Sequence, residues 1–212
     1  MTRGYVDERI RNVINQAEEQ ERINSQNIYE SISINGRYYE FEEKSFFEGQ
    51  LKIHLPTAFF DMPTELAKVK YPSSDRPQII KTEDTGSINI TLNRIPNNVC
   101  EDQIPEVKDG LKTILKRLNP SYLFFEEGVE TIGKKPVGFF EFKSPTLDKP
   151  LFNLMFVTTM ERDVLMVTFN CPYEDYREWR PIARQIMQSL QVISKTLPST
   201  EENSAGGVNG SC

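Results

Sequence analysis

A single α+β domain built on a mostly antiparallel sheet is the fold class this sequence predicts, and three observations carry it. Apolar residues alternate with polar ones in runs such as GSINITLN, the period of a half-buried strand. Four strand candidates follow one another from Ser121 to Cys171 with no helix between them. Strands so closely spaced must pair antiparallel, because a parallel pair needs a long crossover. Two other segments, 104–118 and 175–190, carry the 3.6-residue apolar period of helices packed on a sheet.

Composition bounds the function. A chain of 212 residues, 38% hydrophobic and 26% charged, can bury a real core. A formal charge of -6 argues against a nucleic-acid partner, since phosphate affinity needs clustered Lys and Arg. The runs at 112–117 and 134–135 are too short and diluted to serve. No apolar run reaches the roughly 20 residues that span a bilayer, and the first thirty residues lack the basic-then-apolar order of a secretory signal. The expectation is a cytoplasmic protein without stable membrane insertion. Cys100, Cys171 and Cys212 are odd in number and lack CxxC spacing, so reduced thiols are expected.

The elements follow in order. Val6, Ile10, Val13, Ile14 and Ala17 make one stripe of an amphipathic helix from about Asp7 to Arg22, and Asn24 to Asn27 read as a hinge, so residues 1–27 form a unit of their own. The main domain runs over 28–193. It opens with a hairpin across Asn35-Gly36, the pair suited to a two-residue type I′ turn. QLKIHLP is a half-buried strand stopped by Pro56, and 57–77, with three prolines, reads as loop around one short strand. GSINITLNRIP is the next strand. The helix 104–118 begins with Pro105, tolerated in a first turn, and presents Val107, Leu111, Ile114, Leu115 and Leu118. SYLFFEEGVETIG, KPVGFFEFKS, LFNLMFVTTM and DVLMVTFNC supply the four successive strands. The closing helix places Trp179, Ile182, Ala183, Ile186, Met187 and Leu190 on its buried side, with Pro181 near its start or at a bend. Residues 194–212 lack apolar period and read as a disordered polar tail.

Catalytic chemistry finds little support. His54 is the one histidine and sits in a strand, and Cys171 ends a strand as a small buried hydrophobe. Acids such as Glu126, Glu127 and Glu130 serve solubility, and no Gly-rich phosphate loop or metal set is present. The protein is therefore expected not to be an enzyme, and no cofactor is expected.

The strands are more informative. In the period-two reading one face collects Ile88, Ile90, Leu92, Phe140, Phe142, Phe152, Leu154, Phe156, Leu165, Val167 and Phe169, and lies under the helices. The other collects Asn89, Thr91, Asn93, Asn153, Met155, Met166 and Thr168, with His54, Phe139, Leu151, Val157, Val164 and Asn170. Methionine mixed with Asn and Thr makes an adaptable, semi-polar surface suited to a partner protein. The competing expectation is that the N-terminal helix covers this face.

The order LKIHLP, NITL, EVKDGLKTILKRL, GKKPVGFFEFKS, LFNLMFVTTMERDVLMVTFNCP and EDYREWRPIARQIMQSLQV resembles the DcrB-like branch of the PsbP-like family. Its most telling part is the strand ending in FNCP followed by a helix with an early Trp and a terminal I-x-x-S-L, Ile186 to Leu190. The resemblance implies an antiparallel sheet packed against helices and a fold shared with Ran-binding Mog-type accessory proteins and bacterial secretion-effector chaperones. It implies a non-catalytic chaperone or adaptor for a secreted or membrane-inserting partner, such as an apolar helix of an effector held on the sheet. The alternatives are an accessory subunit bound through its helices and an enzyme of unrecognised type. A homodimer is left open.

Overall fold

The computed structural model describes residues 3–146 and 148–193, apart from the side chains of residues 1–12 and 16. The tail expected over 194–212 lies outside the described residues. Asn35 and Gly36, both at positive φ, turn the backbone between β1 (Ile32–Ile34) and β2 (Arg37–Tyr39), with Ile34 opposite Arg37 as a two-residue turn requires. β3 (Phe41–Phe46), β4 (Leu51–Pro56) and the short β12 (Gln191–Val192) form a three-stranded sheet. Leu51, Ile53 and Leu55 point from β4 into the main core, as the alternation in QLKIHLP predicts.

The stretch expected to be mostly loop holds more structure than that. After β5 (Phe60–Asp61), the segment TELAKVK forms α2 (Thr64–Lys70), and β6 (Ile79–Thr82) follows. Leu66, Ala67 and Tyr71 pack with Met62 and Ile80 in a small satellite cluster. The prolines bound this helix; they do not abolish it.

β7 (Asn89–Ile95), β8 (Leu123–Ile132), β9 (Lys135–Ser144), β10 (Leu151–Met160) and β11 (Asp163–Pro172) complete a seven-stranded antiparallel sheet of order β5-β6-β7-β11-β10-β9-β8. β7 lies beside β11 whereas β8 is the far edge, so the connection between them must cross three strands. That connection is α3 (Ile104–Leu118), bounded as expected, and it lies on β9 and β10. At Gly138 an added Cβ would come within 2.9 Å of the Lys108 side chain, so the glycine sets how closely the helix seats.

α4 (Tyr176–Gln188) packs on the opposite face against β10, β11 and β4. Pro181 is its sixth residue and the helix continues through it, the exposed Arg177 giving up its backbone partner. Trp179 is 1% exposed, with ring centroids 5.1 Å from Tyr39 and 5.5 Å from Phe169. The layers are thus α3, the large sheet, then α4 with the small sheet.

α1 (Arg3–Ser25) touches the body at its last turn, where Ile23 is buried and Arg22 pairs with Glu178 of α4. Gln185 then binds the Gln26 carbonyl at 2.8 Å and receives the Ile28 amide at 3.0 Å, clamping the expected hinge segment onto α4. Among the described residues the helix on the second face of the sheet is α3, because the backbone has to cross there. No helix among the described residues is long and apolar enough to cross a membrane. Cys171 is free and buried, and burial pushes its thiol well above the ordinary value.

Candidate functional site

The second face of the large sheet is ordered in three cross-strand rows. Asn153, Asn170 and Asn89 stand opposite one another on β10, β11 and β7; the next row is Met155, Thr168 and Thr91; the third is Val157, Met166 and Asn93. α3 runs over one part of these rows. Val157 and Val164 pack under Ile104, Val107 and Leu111, and Met155 packs with Phe140, Phe142, Leu111 and Leu115.

What α3 leaves uncovered is a cleft of about 530 Å³. Its floor is Asn89, Thr91, Asn153, Met166, Thr168 and Asn170; one wall is Lys70, Tyr71 and Pro77, and the other is Thr146, Asp148 and Lys149. Five of the seven residues expected on a partner-binding surface line it. Met155 does not, being 9% exposed beneath α3. Asn93 does not either, because its Oδ1 accepts the Gln78 backbone amide at 3.0 Å and holds the β6–β7 edge.

Three further expectations change. His54 belongs to the small sheet, where it meets the Tyr29 ring at 4.9 Å, and is not on this face. Phe139 lies in the main core opposite Phe156, while Phe140 and Phe142 lie on the α3 side, so the two faces of β9 are exchanged. Glu141 goes inward with Phe139. It stands opposite Leu154 on the core face, fully buried, and Arg180 of α4 donates its Nε to both carboxylate oxygens at 2.9 and 3.1 Å. Burial raises the Glu141 carboxyl above its ordinary value even so, with Arg180 acting against the rise.

The floor is pre-ordered by its own hydrogen bonds. Asn89 Nδ2 donates to Asn170 Oδ1 at 3.0 Å and to the Gly86 carbonyl at 3.3 Å, and Asn153 Nδ2 donates to Ser144 Oγ at 2.9 Å. Asn89 Oδ1 is buried without a partner among the described residues. Burial raises the Tyr71 phenol above its ordinary value, and its hydrogen bond with Asn170 opposes that rise. Such a floor offers fixed amide and hydroxyl groups beside Met166 and Leu151, a mixed lining that orients a ligand by a few polar contacts. Among the described lining residues the titratable groups are Lys70, Tyr71, Asp148 and Lys149.

The walls were not legible as part of the site. Lys70 and Tyr71 come from α2 and its C-terminal end, inside the stretch read as loop. The signal that could have found them is the helical spacing of Leu66, Ala67, Lys70 and Tyr71 between Pro63 and Pro72. A second, larger groove of about 920 Å³ lies between α1 and α4, but Arg180 and Arg184 within it are already paired with Glu126, Glu130 and Glu141.

No family model and no curated protein matches the sequence. Among solved structures the protein is similar to cyanobacterial PsbP (CyanoP) from Synechocystis, at 9% identity over 72% of this chain and 92% of that one, with a TM-score of 0.55. It is also similar to LpqN of Mycobacterium tuberculosis, which is involved in cell envelope biogenesis, at 10% identity over 75% of this chain and 94% of that one, with a TM-score of 0.48. The fold is PsbP-like: one α+β domain of antiparallel sheets packed against helices.

Proposed function

We propose that this protein is a non-catalytic binding module that takes a short segment of another protein into the cleft on the second sheet face. In the finer reading it is a chaperone or adaptor for a secreted or membrane-inserting partner, within the DcrB-like branch that FNCP and the I-x-x-S-L helix end resemble. The observation that carries the proposal is the convergence of Asn89, Thr91, Asn153, Met166 and Thr168 on one cleft between two walls. A groove of this size takes a few residues of a partner, not a whole helix lying on an open sheet. Main-chain groups of a bound segment would meet the carboxamides and hydroxyls, while Met166 adapts to its side chains.

Peptides selected from a random phage-displayed library test this. Thr168→Trp fills the cleft from its floor, so selected peptides should lose binding to that variant while its far-ultraviolet circular dichroism stays native. Equal binding to parent and Thr168→Trp would refute the cleft. If binding then responded to Leu118→Asp, on the 66% exposed Leu118 of α3, the reading of a subunit held through its helices would replace it.

A further inference from the structure

Resting on the cleft reading, we propose that the bound segment carries a carboxylate, held between Lys70 on one wall and Lys149 on the other. Lys70 is the last residue of α2, and its ammonium donates to the Gly86 carbonyl at the edge of the cleft. Among the described residues it forms no ion pair, although its helix neighbour Lys68 is paired with Glu65 at 2.8 Å. The nearby acid Glu83 is only 2% exposed and occupied by the Thr85, Ser87 and Ile88 amides of its own turn. Burial of the Lys70 ammonium lowers it from its ordinary value, a cost that a bound anion relieves.

Lys149 faces it from the other wall. Its partner is Glu174 at 2.7 Å, with the two side chains 64% and 61% exposed, so the pair is water-screened and readily exchanged for a ligand. Among the described lining residues Asp148 is the only acid, which leaves the cleft with two ammonium groups against one carboxylate, on a protein whose formal charge is -6. A bound carboxylate would take the place of Glu174 on Lys149 and give Lys70 the anion it lacks among the described residues. The same described lining holds no arginine, whose planar fork is the usual partner of phosphate. The carboxylate can be the free C-terminus of a partner or one of its acidic side groups, and the measurement separates them.

The full-length protein, labelled with ¹⁵N, is titrated with acetyl-Ala-Ala-Ala, with its C-terminal amide, and with acetyl-Ala-Glu-Ala-amide, following the side-chain amide signals of Asn89, Asn153 and Asn170. At least one carboxylate peptide should shift these signals saturably and bind at least ~10-fold tighter than the neutral amide, the size of one charge-assisted hydrogen bond. A free terminus is the source if acetyl-Ala-Ala-Ala binds best, and an acidic side group if acetyl-Ala-Glu-Ala-amide does. Lys70→Gln should weaken that binding ~10-fold and Lys70→Arg should retain it. If the neutral amide binds as tightly as both acids, the carboxylate assignment falls and the cleft stands. If sodium phosphate binds tighter than either acid through Lys70, the ligand class is wrong. If none of the peptides moves these signals, both readings fall together.

Discussion

Trp179 ties α4 to the large sheet and to the β1–β2 hairpin. It comes from α4, lies edge-on to Tyr39 of the β1–β2 hairpin and contacts Phe169 of the large sheet, with Phe59 at 6.4 Å. Truncation would leave a cavity bounded by parts that cannot all collapse into it. Trp179→Ala should lower stability by about 3–5 kcal/mol in urea denaturation, the range for losing a buried large aromatic; a change below about 1 kcal/mol would contradict its central place. Glu141 teaches the opposite lesson at the same scale. Its sequence position among three phenylalanines says it should point outward, and Arg180 makes the inward position tolerable. For the acid, burial still outweighs the pairing, whereas for Arg180 the pairing outweighs burial and raises it.

At the scale of elements, α3 decides what the second face can bind. It is tied to β8 by Glu127, which receives Lys112 Nζ at 2.5 Å and Lys108 Nζ at 3.0 Å. Those two lysines hold the Glu127 carboxyl below its ordinary value of 4.5, Lys112 most strongly. A carboxyl whose folded value is depressed contributes stability that is present above its unfolded value and is lost as the pH falls through the folded one. Glu127→Gln should therefore melt lower than the parent at about pH 7, and the gap should close as the pH drops below 4.5. Thermal melts at about pH 7 and pH 3 read this directly, and a gap of constant size would mean that the ion pairs do not anchor the helix. The helix was legible to the residue, yet Ile114 and Leu118 of its expected stripe remain exposed. Periodicity locates an apolar face only to within the width of a stripe, and the sheet underneath selects which part of it is used.

For the whole molecule, one continuous core joins Leu51, Ile53 and Leu55 of the small sheet to Phe152, Leu154 and Phe156 of the large one through α4. The two sheets should unfold together. Melting followed by Trp179 fluorescence and by far-ultraviolet circular dichroism should give one shared midpoint, and two separated midpoints would show that the small sheet is an independent unit. By itself, the sequence determined the fold class, the hairpin at Asn35-Gly36, α3, α4, the four long strands and five residues of the cleft floor, because each rests on local period or turn chemistry. Tertiary structure alone decided that α3 packs on the second face, that Glu141 points inward, and that Lys70 and Tyr71 wall the cleft. The physical reason is strand order: β7 sits beside β11 while β8 forms the far edge, so the connecting helix must cross the sheet, and no local pattern records that path.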